Sequence, residues 1–211
     1  FRSSWRSSLW LMLFFISKRI RFSASFSLKS SFAKIGIETI VSGDKSEIEK
    51  ADKLVLPGVG AFEDAAKKLK ETGLDNVIIK KAKQGTPLLG ICLGMQLLFE
   101  KSFEFGEHKG LGLLKGEIQP MILSSDYKIP HIGWNKLHLI DDKSRVLKYI
   151  NEGDYVYFVH SYHAKKCESV TKAVTDYGND ITAVVEDGNV FGCQFHPEKS
   201  STVGLHIASF F

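Results

Sequence analysis

The sequence predicts an α/β fold in which a mixed, mostly parallel central sheet is flanked by helices. Short apolar runs alternate with amphipathic, helix-forming segments up to residue 91, which is the pattern of parallel strands joined by helices. Beyond residue 110 the chain changes to a β-rich half. A chain of 211 residues with 44% hydrophobic side chains can also bury one sizeable core within a single domain.

Each element is predicted from its own local pattern. The first helix has Leu28, Phe32 and Ile35 on one face, and Gly36 stops it. A strand hairpin is predicted through the turn at Asp187-Gly188. The predicted helices cover residues 25–36, 46–51, 61–70, 76–84 and 203–211, and the predicted strands cover residues 37–41, 53–56, 88–91, 154–162, 181–186 and 189–195.

The strand over residues 88–91 delivers a cysteine at its end. Cys92 has Gly90 and Gly94 two residues to either side, and a helix-forming sequence follows, which is the nucleophile-elbow pattern with cysteine in place of serine. The start of that helix favours a thiolate, and the turn aims the N–H of Leu93 at an oxyanion. Taken alone, the pattern fits a small buried cysteine about equally well.

A base for this cysteine is offered far downstream by His196-Pro197-Glu198, which ends the strand-like run 189–195. Residues two apart in an extended chain point the same way, so His196 and Glu198 can lie side by side. His196 would deprotonate Cys92, and Glu198 would hold the imidazole in one tautomer. An isolated His-Pro-Glu is more often a surface strand end, but the presence of Cys92 favours a catalytic triad.

Three separated motifs match one known family in order and spacing. They are residues 56–62 (Leu-Pro-Gly-Val-Gly-Ala-Phe), residues 90–100 around Cys92, and residues 196–201 (His-Pro-Glu-Lys-Ser-Ser). From about Lys34 onward the chain resembles the class I, or triad, glutamine amidotransferases, and among them the family of glutaminase subunits of imidazole glycerol phosphate synthase. The resemblance implies a flavodoxin-like amidotransferase fold. It also implies that a triad of Cys92, His196 and Glu198 hydrolyses L-glutamine to glutamate and ammonia without a cofactor.

The resemblance further implies how the substrate is held. The loop Gly58-Val59-Gly60 would complete the oxyanion hole beside Leu93, since a loop with two glycines can turn its N–H groups toward an anion. A plain strand-to-helix turn is the alternative for this loop. The residues that the resemblance assigns to the backbone part of glutamine are Gln96, His160, Ser161 and Tyr162.

A protein partner is implied as well. By resemblance, the ammonia passes to a β/α-barrel cyclase subunit, which forms a heterodimer with this chain and makes imidazole glycerol phosphate in histidine biosynthesis. The segment 130–135 is too polar for a core strand, and it carries a tryptophan, a residue type enriched at interface hot spots. A half-buried strand with a core tryptophan is the alternative. The predicted interface residues are His131, Trp134, Asn135, Tyr157 and Lys199.

Charge and cysteine content argue against other classes of protein. Residues 1–37 carry seven of the 28 basic side chains and no acid, so the rest of the chain, with all 24 acidic side chains, is mildly acidic despite the net charge of +4. We therefore expect no nucleic-acid surface. Cys92, Cys167 and Cys193 show neither disulfide-like nor metal-ligand spacing, which favours a cytoplasmic protein without a metal site.

The first 24 residues do not fit the family pattern. They are free of acid, rich in Ser and Arg, and contain an apolar run at residues 9–16 that is too short to span a bilayer. We therefore divide the chain into an aberrant or targeting-like segment, residues 1–24, and an amidotransferase domain, residues 25–211. A gene-model artefact, a targeting peptide and a substitute first strand are the alternatives for residues 1–24.

Two other functions are weighed against this one. The first keeps the chemistry but changes the pathway, to another class I amidotransferase or a γ-glutamyl hydrolase; Met95 and the segment 131–135 argue against it. The second is a catalytically impaired binding subunit. We consider it because the sequence lacks a first strand like that of the family. The complete triad argues against this second alternative.

Overall fold

The computed structural model describes residues 11–13, 24–141 and 143–211. Six helices lie in these ranges: α1 (Ala24–Lys34), α2 (Lys45–Lys50), α3 (Phe62–Thr72), α4 (Leu74–Lys83), α5 (Leu93–Leu97) and α6 (Ser201–Phe210). The strands in the same ranges are β1 (Leu11–Leu13), β2 (Thr39–Val41), β3 (Lys53–Gly58), β4 (Leu88–Cys92), β5 (Phe99–Ser102), β6 (His108–Lys109), β7 (Leu114–Pro120), β8 (His131–Lys136), β9 (His138–Leu139), β10 (Tyr155–His160), β11 (Tyr162–Lys165), β12 (Thr171–Asp176), β13 (Asp180–Asp187) and β14 (Val190–Cys193).

The main sheet has eight strands in the order β2-β1-β3-β4-β14-β13-β12-β9. Its ladders are parallel from β2 through to β14, and antiparallel from β14 to β9. The central strands β3 and β4 are almost continuously buried, as expected for parallel strands that are covered on both faces. The prediction of a mixed, mostly parallel sheet flanked by helices is therefore confirmed.

Two hydrophobic clusters fill the two faces of this sheet. Along β3, Leu54 and Leu56 belong to one cluster and Val55 to the other, because successive side chains of a strand point to opposite faces. Helices α2, α3 and α4 contribute to the first cluster, and α1 and α6 contribute to the second. The carboxyl ends of β3 and β4 thus emerge from a core that is packed on both sides.

Two smaller sheets complete the fold. Strands β8 and β10 form an antiparallel pair, and the order β11-β7-β5-β6 makes a four-stranded sheet. The strand predicted over residues 154–162 is confirmed for residues 155–160 as β10, but its predicted end is wrong: β10 pairs with β8, whereas Tyr162 begins β11, which pairs with β7, and Ser161 lies between them. No helix in the described ranges combines the length and the hydropathy needed to cross a membrane.

Strand β1 lies within the apolar run 9–16. It runs parallel to both its neighbours, with Leu11 opposite Thr39 of β2 and Lys53 of β3. A strand in this position, between β2 and β3, is what the substitute-strand alternative expects. Residues 1–10 and 14–23 lie outside the described residues, and the domain division at residue 24 stays a prediction.

Candidate active site

Cys92 occupies a backbone conformation that L residues rarely adopt. It ends β4 with φ 53° and ψ −114°, directly before α5. A Cβ atom at Gly90 would lie 2.7 Å from the backbone of Met95, and one at Gly94 would lie 1.7 Å from the carbonyl oxygen of Leu56. Because only glycine fits these contacts, α5 can fold back closely against β3 and β4. The sharp turn that the sequence predicts is thus present.

His196 and Glu198 form a buried pair. The Nδ1 atom of His196 lies 2.8 Å from Oε1 of Glu198, and the two side chains are 4% and 3% exposed. We predicted this proximity from an extended backbone, and that conformation is wrong, because Pro197–Lys199 form a 3₁₀ turn. The turn brings the two side chains together all the same, and the backbone N–H of His196 is anchored by the carbonyl of Tyr157 at 3.0 Å.

The sheet brings Cys92 and this pair together. Strands β4 and β14 are neighbours, with Ile91 opposite Cys193, so the residues that follow them meet at one edge of the sheet. Burial alone would lower the pKa of His196, but its interactions with the Cys92 thiol and with Glu198 outweigh burial and raise the pKa to about 10. The arrangement therefore favours an imidazolium beside the cysteine sulfur.

The loop Gly58-Val59-Gly60 starts beside this cysteine. Strand β3 extends through Gly58, two residues beyond the predicted strand, and Gly58 lies opposite Cys92 in the ladder. A Cβ atom at Gly58 would lie 2.9 Å from that of Leu93, so the loop touches the first residue of α5. Gly60 has φ 101°, and Val59 is 37% exposed. Of the predicted oxyanion donors, Gly58 and Leu93 are thus in contact.

Gln96 of α5 meets the 160–162 segment. The buried Gln96 donates from Nε2 to the carbonyl oxygen of Tyr162 at 3.1 Å. Nδ1 of His160 lies 2.9 Å from the same oxygen, and burial lowers the pKa of His160 to about 3, so that its imidazole is neutral. Ser161 is half-buried between the two strands. Three of the predicted substrate residues, Gln96, His160 and Tyr162, therefore meet at one carbonyl oxygen.

One predicted interface residue is not on the surface. His131 is 2% exposed, and its ring is stacked between those of Phe158, at a centroid distance of 4.8 Å, and Tyr177, at 3.8 Å. Burial lowers the pKa of His131 to about 4. The prediction that its side chain faces a partner is wrong, because the side chains of β8 alternate and His131 falls on the inner face.

Trp134, Tyr157 and Lys199, three other predicted interface residues, form a surface group that we call the aromatic row; Trp134 and Lys199 are exposed and Tyr157 is half-buried. Trp134 is 51% exposed and contacts Tyr157 edge to face at a centroid distance of 5.9 Å, and Lys199 Nζ lies 5.5 Å from the centre of the Tyr157 ring. Ile132 and Tyr155, also on β8 and β10, are 57% and 49% exposed. Asn135 is half-buried and donates to the carbonyl of Asp176 at 2.8 Å, so its amide belongs to the fold.

Two further residues of the site were not predicted. Oε2 of Glu104 accepts a hydrogen bond from the N–H of Phe62 at 2.6 Å and so fixes the start of α3, next to the Gly58-Val59-Gly60 loop. Gln194 is fully buried, and its amide reaches both Gln96 and Cys92. The signal in the sequence was a polar residue inside the apolar run 189–195.

The described part of the chain contains no group of three or more His, Cys, Asp or Glu side chains placed to hold a metal ion. Cys92, Cys167 and Cys193 are all free thiols. Cys167 contacts Thr171 and Thr182 within the core, and burial raises the pKa of Cys193 well above its ordinary value. The surroundings of these two cysteines indicate a structural role.

Comparisons with known proteins show which family this chain belongs to. The family model described as "Glutamine amidotransferase class-I" matches residues 21–210. The imidazole glycerol phosphate synthase subunit HisH of Lactococcus lactis is 49% identical over 186 residues, which cover 88% of this chain and 91% of the relative. The subunit of the same name from Aquifex aeolicus is 53% identical over 171 residues, 81% of each chain.

Two solved structures show the same fold at low identity. A crystal structure of a glutamine amidotransferase matches with a TM-score of 0.69 at 20% identity, over 95% of this chain and 99% of the other. The glutaminase domain of Trypanosoma brucei CTPS with bound acivicin matches with a TM-score of 0.68 at 15% identity, over 96% and 92%. At these identities the likeness concerns the fold alone.

Proposed function

Since this chain belongs to the class-I glutamine amidotransferase family, we propose that it is the glutaminase subunit of an imidazole glycerol phosphate synthase in histidine biosynthesis. The observation that carries the proposal is the buried Cys92, His196 and Glu198 group at the edge of the sheet. The proposal is also supported by two synthase subunits in which about half of the aligned residues are identical to those of this chain.

The first step is attack on the side-chain carboxamide of glutamine. The sulfur of Cys92, whose proton has moved to His196, forms a bond to the amide carbon, and the C=O electron pair moves to the oxygen. The oxyanion accepts hydrogen bonds from the N–H of Leu93 and from the Gly58-Val59-Gly60 loop. Support comes from Gly58, which is paired with Cys92 in the β3–β4 ladder and packs against Leu93.

The second step releases ammonia. His196 gives its proton to the amide nitrogen, the C–N bond breaks, and a γ-glutamyl thioester is left on Cys92. Water then attacks the thioester while His196 accepts its proton, the C–S bond breaks, and glutamate leaves with the thiol restored. Glu198 holds Nδ1 of His196 throughout, so that Nε2 is the atom that carries the proton.

The ammonia is used by a β/α-barrel cyclase subunit that joins this chain in a heterodimer, and the aromatic row is our candidate for its contact surface. Exposed aromatic side chains next to a lysine are typical anchors of protein interfaces. The row is also near the chemistry, because Tyr157 accepts the backbone hydrogen bond of His196. We assign the heterodimer to the cytoplasm, in keeping with three free cysteines.

The test is glutamate release by the purified chain, alone and with a β/α-barrel cyclase subunit and its ribonucleotide substrate. We expect hydrolysis of glutamine that rises when the loaded cyclase is added and disappears in Cys92→Ala. A folded chain that releases no glutamate under any of these conditions would contradict the glutaminase function. Glutamate release that ignores the cyclase would contradict the assigned pathway but not the chemistry.

A further inference from the structure

The amide of Gln194 links the nucleophile to a predicted substrate residue. Gln194 follows β14 and is fully buried, and its backbone N–H is held by the carbonyl of Ala183 at 2.9 Å. Its Oε1 lies 3.0 Å from Nε2 of Gln96, and its Nε2 lies 3.8 Å from the sulfur of Cys92, within the range of a hydrogen bond to sulfur. Gln194 is therefore in direct contact with the reacting atom.

The orientation of both amides follows from one backbone group. The carbonyl oxygen of Tyr162 can only accept, so the Gln96 atom 3.1 Å away from it must be the NH₂ group. That same NH₂ group lies against Gln194, whose facing atom must then be the carbonyl oxygen. The NH₂ group of Gln194 is left to face Cys92. The chain of hydrogen bonds thus ends with a donor aimed at the sulfur.

A donor in this place stabilises a charged sulfur more than a neutral one. A thiol accepts hydrogen bonds weakly, whereas hydrogen bonds to an ionised acceptor are roughly twice as strong as neutral ones. Because Gln194 is fully buried, water does not take its place as donor. The titratable groups that interact with Cys92 are His196 and Cys193, and Glu198 interacts with both of them.

We propose that Gln194 is a positioning residue that donates its amide N–H to the Cys92 sulfur, favours the thiolate and holds it in line for attack. The proposal rests on the proposed function in that Cys92 is the nucleophile.

The test is the pH dependence of the alkylation of Cys92 by iodoacetamide in the full-length chain, followed by mass spectrometry of the Cys92 peptide. Gln194→Met keeps the length of the side chain but removes the donor, and we expect the pH of half-maximal rate to rise by about one unit. Gln194→Glu places a carboxylate against the sulfur, so we expect a larger rise. The control is Gln84→Met, the same exchange at an exposed helix end, with an unchanged profile.

The proposal would be overturned if Cys92 of the folded variants were alkylated with the same pH profile as in wild type. If the melting curve shows that Gln194→Met does not fold, Gln194→Asn decides the question, because it keeps a neutral amide but shortens its reach to the sulfur. The alkylation profile does not depend on turnover. The proposed role of Gln194 and the proposed glutaminase function can therefore be contradicted independently of each other. If the chain hydrolyses glutamine but the variants and wild type give the same alkylation profile, only the role of Gln194 is contradicted. If the profile shifts but the chain never hydrolyses glutamine, only the glutaminase function is contradicted.

Discussion

The α-carbon of Gly94 faces the backbone of Leu56 so closely that an added Cβ atom would lie 1.7 Å from the carbonyl oxygen. Helix α5, which starts one residue after the nucleophile, is therefore pressed directly against β3. No side chain can be inserted there unless the helix moves. The position of Cys92 above the sheet depends on this contact.

Gly94→Ala should consequently destabilise the fold. We expect the free energy of unfolding to fall by about 3 kcal/mol or more, since the methyl group meets rigid backbone rather than a flexible side chain. Urea denaturation measures the change. Gly43→Ala is the matched control, because no atom lies within 4 Å of the added Cβ, and its effect should stay within about 0.5 kcal/mol. Equal losses in both variants would contradict the argument.

Glu198→Gln should slow turnover without preventing substrate binding. The amide cannot stabilise the His196 imidazolium as the carboxylate does, so we expect kcat to fall about 10²-fold or more at nearly constant KM. Because Glu198 helps to raise the pKa of His196, its loss should also move the alkaline limb of the rate profile to lower pH. Glu71→Gln, at an exposed carboxylate on α3, is the control. An unchanged kcat in Glu198→Gln would exclude the triad.

Acid should destabilise the fold through His131. Burial lowers its pKa from 6.5 to about 4, so the unfolded chain binds a proton between these values that the folded chain does not. The stabilisation is thus present above pH 6.5 and is lost as the pH falls toward 4. His131→Phe keeps a flat ring between Phe158 and Tyr177, and we expect the slope of unfolding free energy against pH to decrease by up to about 1.4 kcal/mol per pH unit.

Denaturation curves at several pH values between 4 and 6.5 measure this slope. The control is His206→Phe, at an exposed histidine of α6, which should leave the slope unchanged. A slope that stays as steep in His131→Phe as in wild type would show that the buried imidazole is not the group responsible.

Trp134→Ala should weaken binding to the cyclase and leave the isolated chain intact. Half of the tryptophan is exposed, so we expect a loss of affinity of about tenfold or more with little change in melting temperature. Calorimetric titration with the cyclase subunit gives the affinity. Tyr149→Ala removes an aromatic side chain of similar exposure, 46%, outside the aromatic row, and should not affect binding. Equal affinities for wild type and Trp134→Ala would exclude this surface.

Elements fixed by local chemistry could be predicted from the sequence. The hairpin through Asp187-Gly188 is present as β13 and β14, with Gly188 at φ 54°, because the turn residues and the flanking apolar runs agree. The elbow could be predicted for the same reason, since the glycines that it requires, Gly90 and Gly94, lie two residues from Cys92. In both cases the deciding residues are close together along the chain.

Features that depend on distant residues could not be predicted. Helix α5 ends at Leu97, although helix-forming residues continue to Glu100. It ends there because the carbonyl of Leu98 accepts hydrogen bonds from the N–H groups of Leu113 and Leu114, and the chain joins the small sheet. The inward position of His131 depends in the same way on rings from β10 and from the turn after β12. Gln194 was missed because its partner, Gln96, lies about half the chain away.

The pairing of β4 with β14 also determines at what stage of folding Cys92 becomes reactive. Cys92 and His196 are separated by about half of the chain, so a ribosome exposes the cysteine well before it synthesises the histidine. Closing so long a loop into a parallel pair of strands is intrinsically slow. A nascent or partly folded chain therefore carries a thiol without its base, and the potent nucleophile comes into existence only once the central sheet is complete.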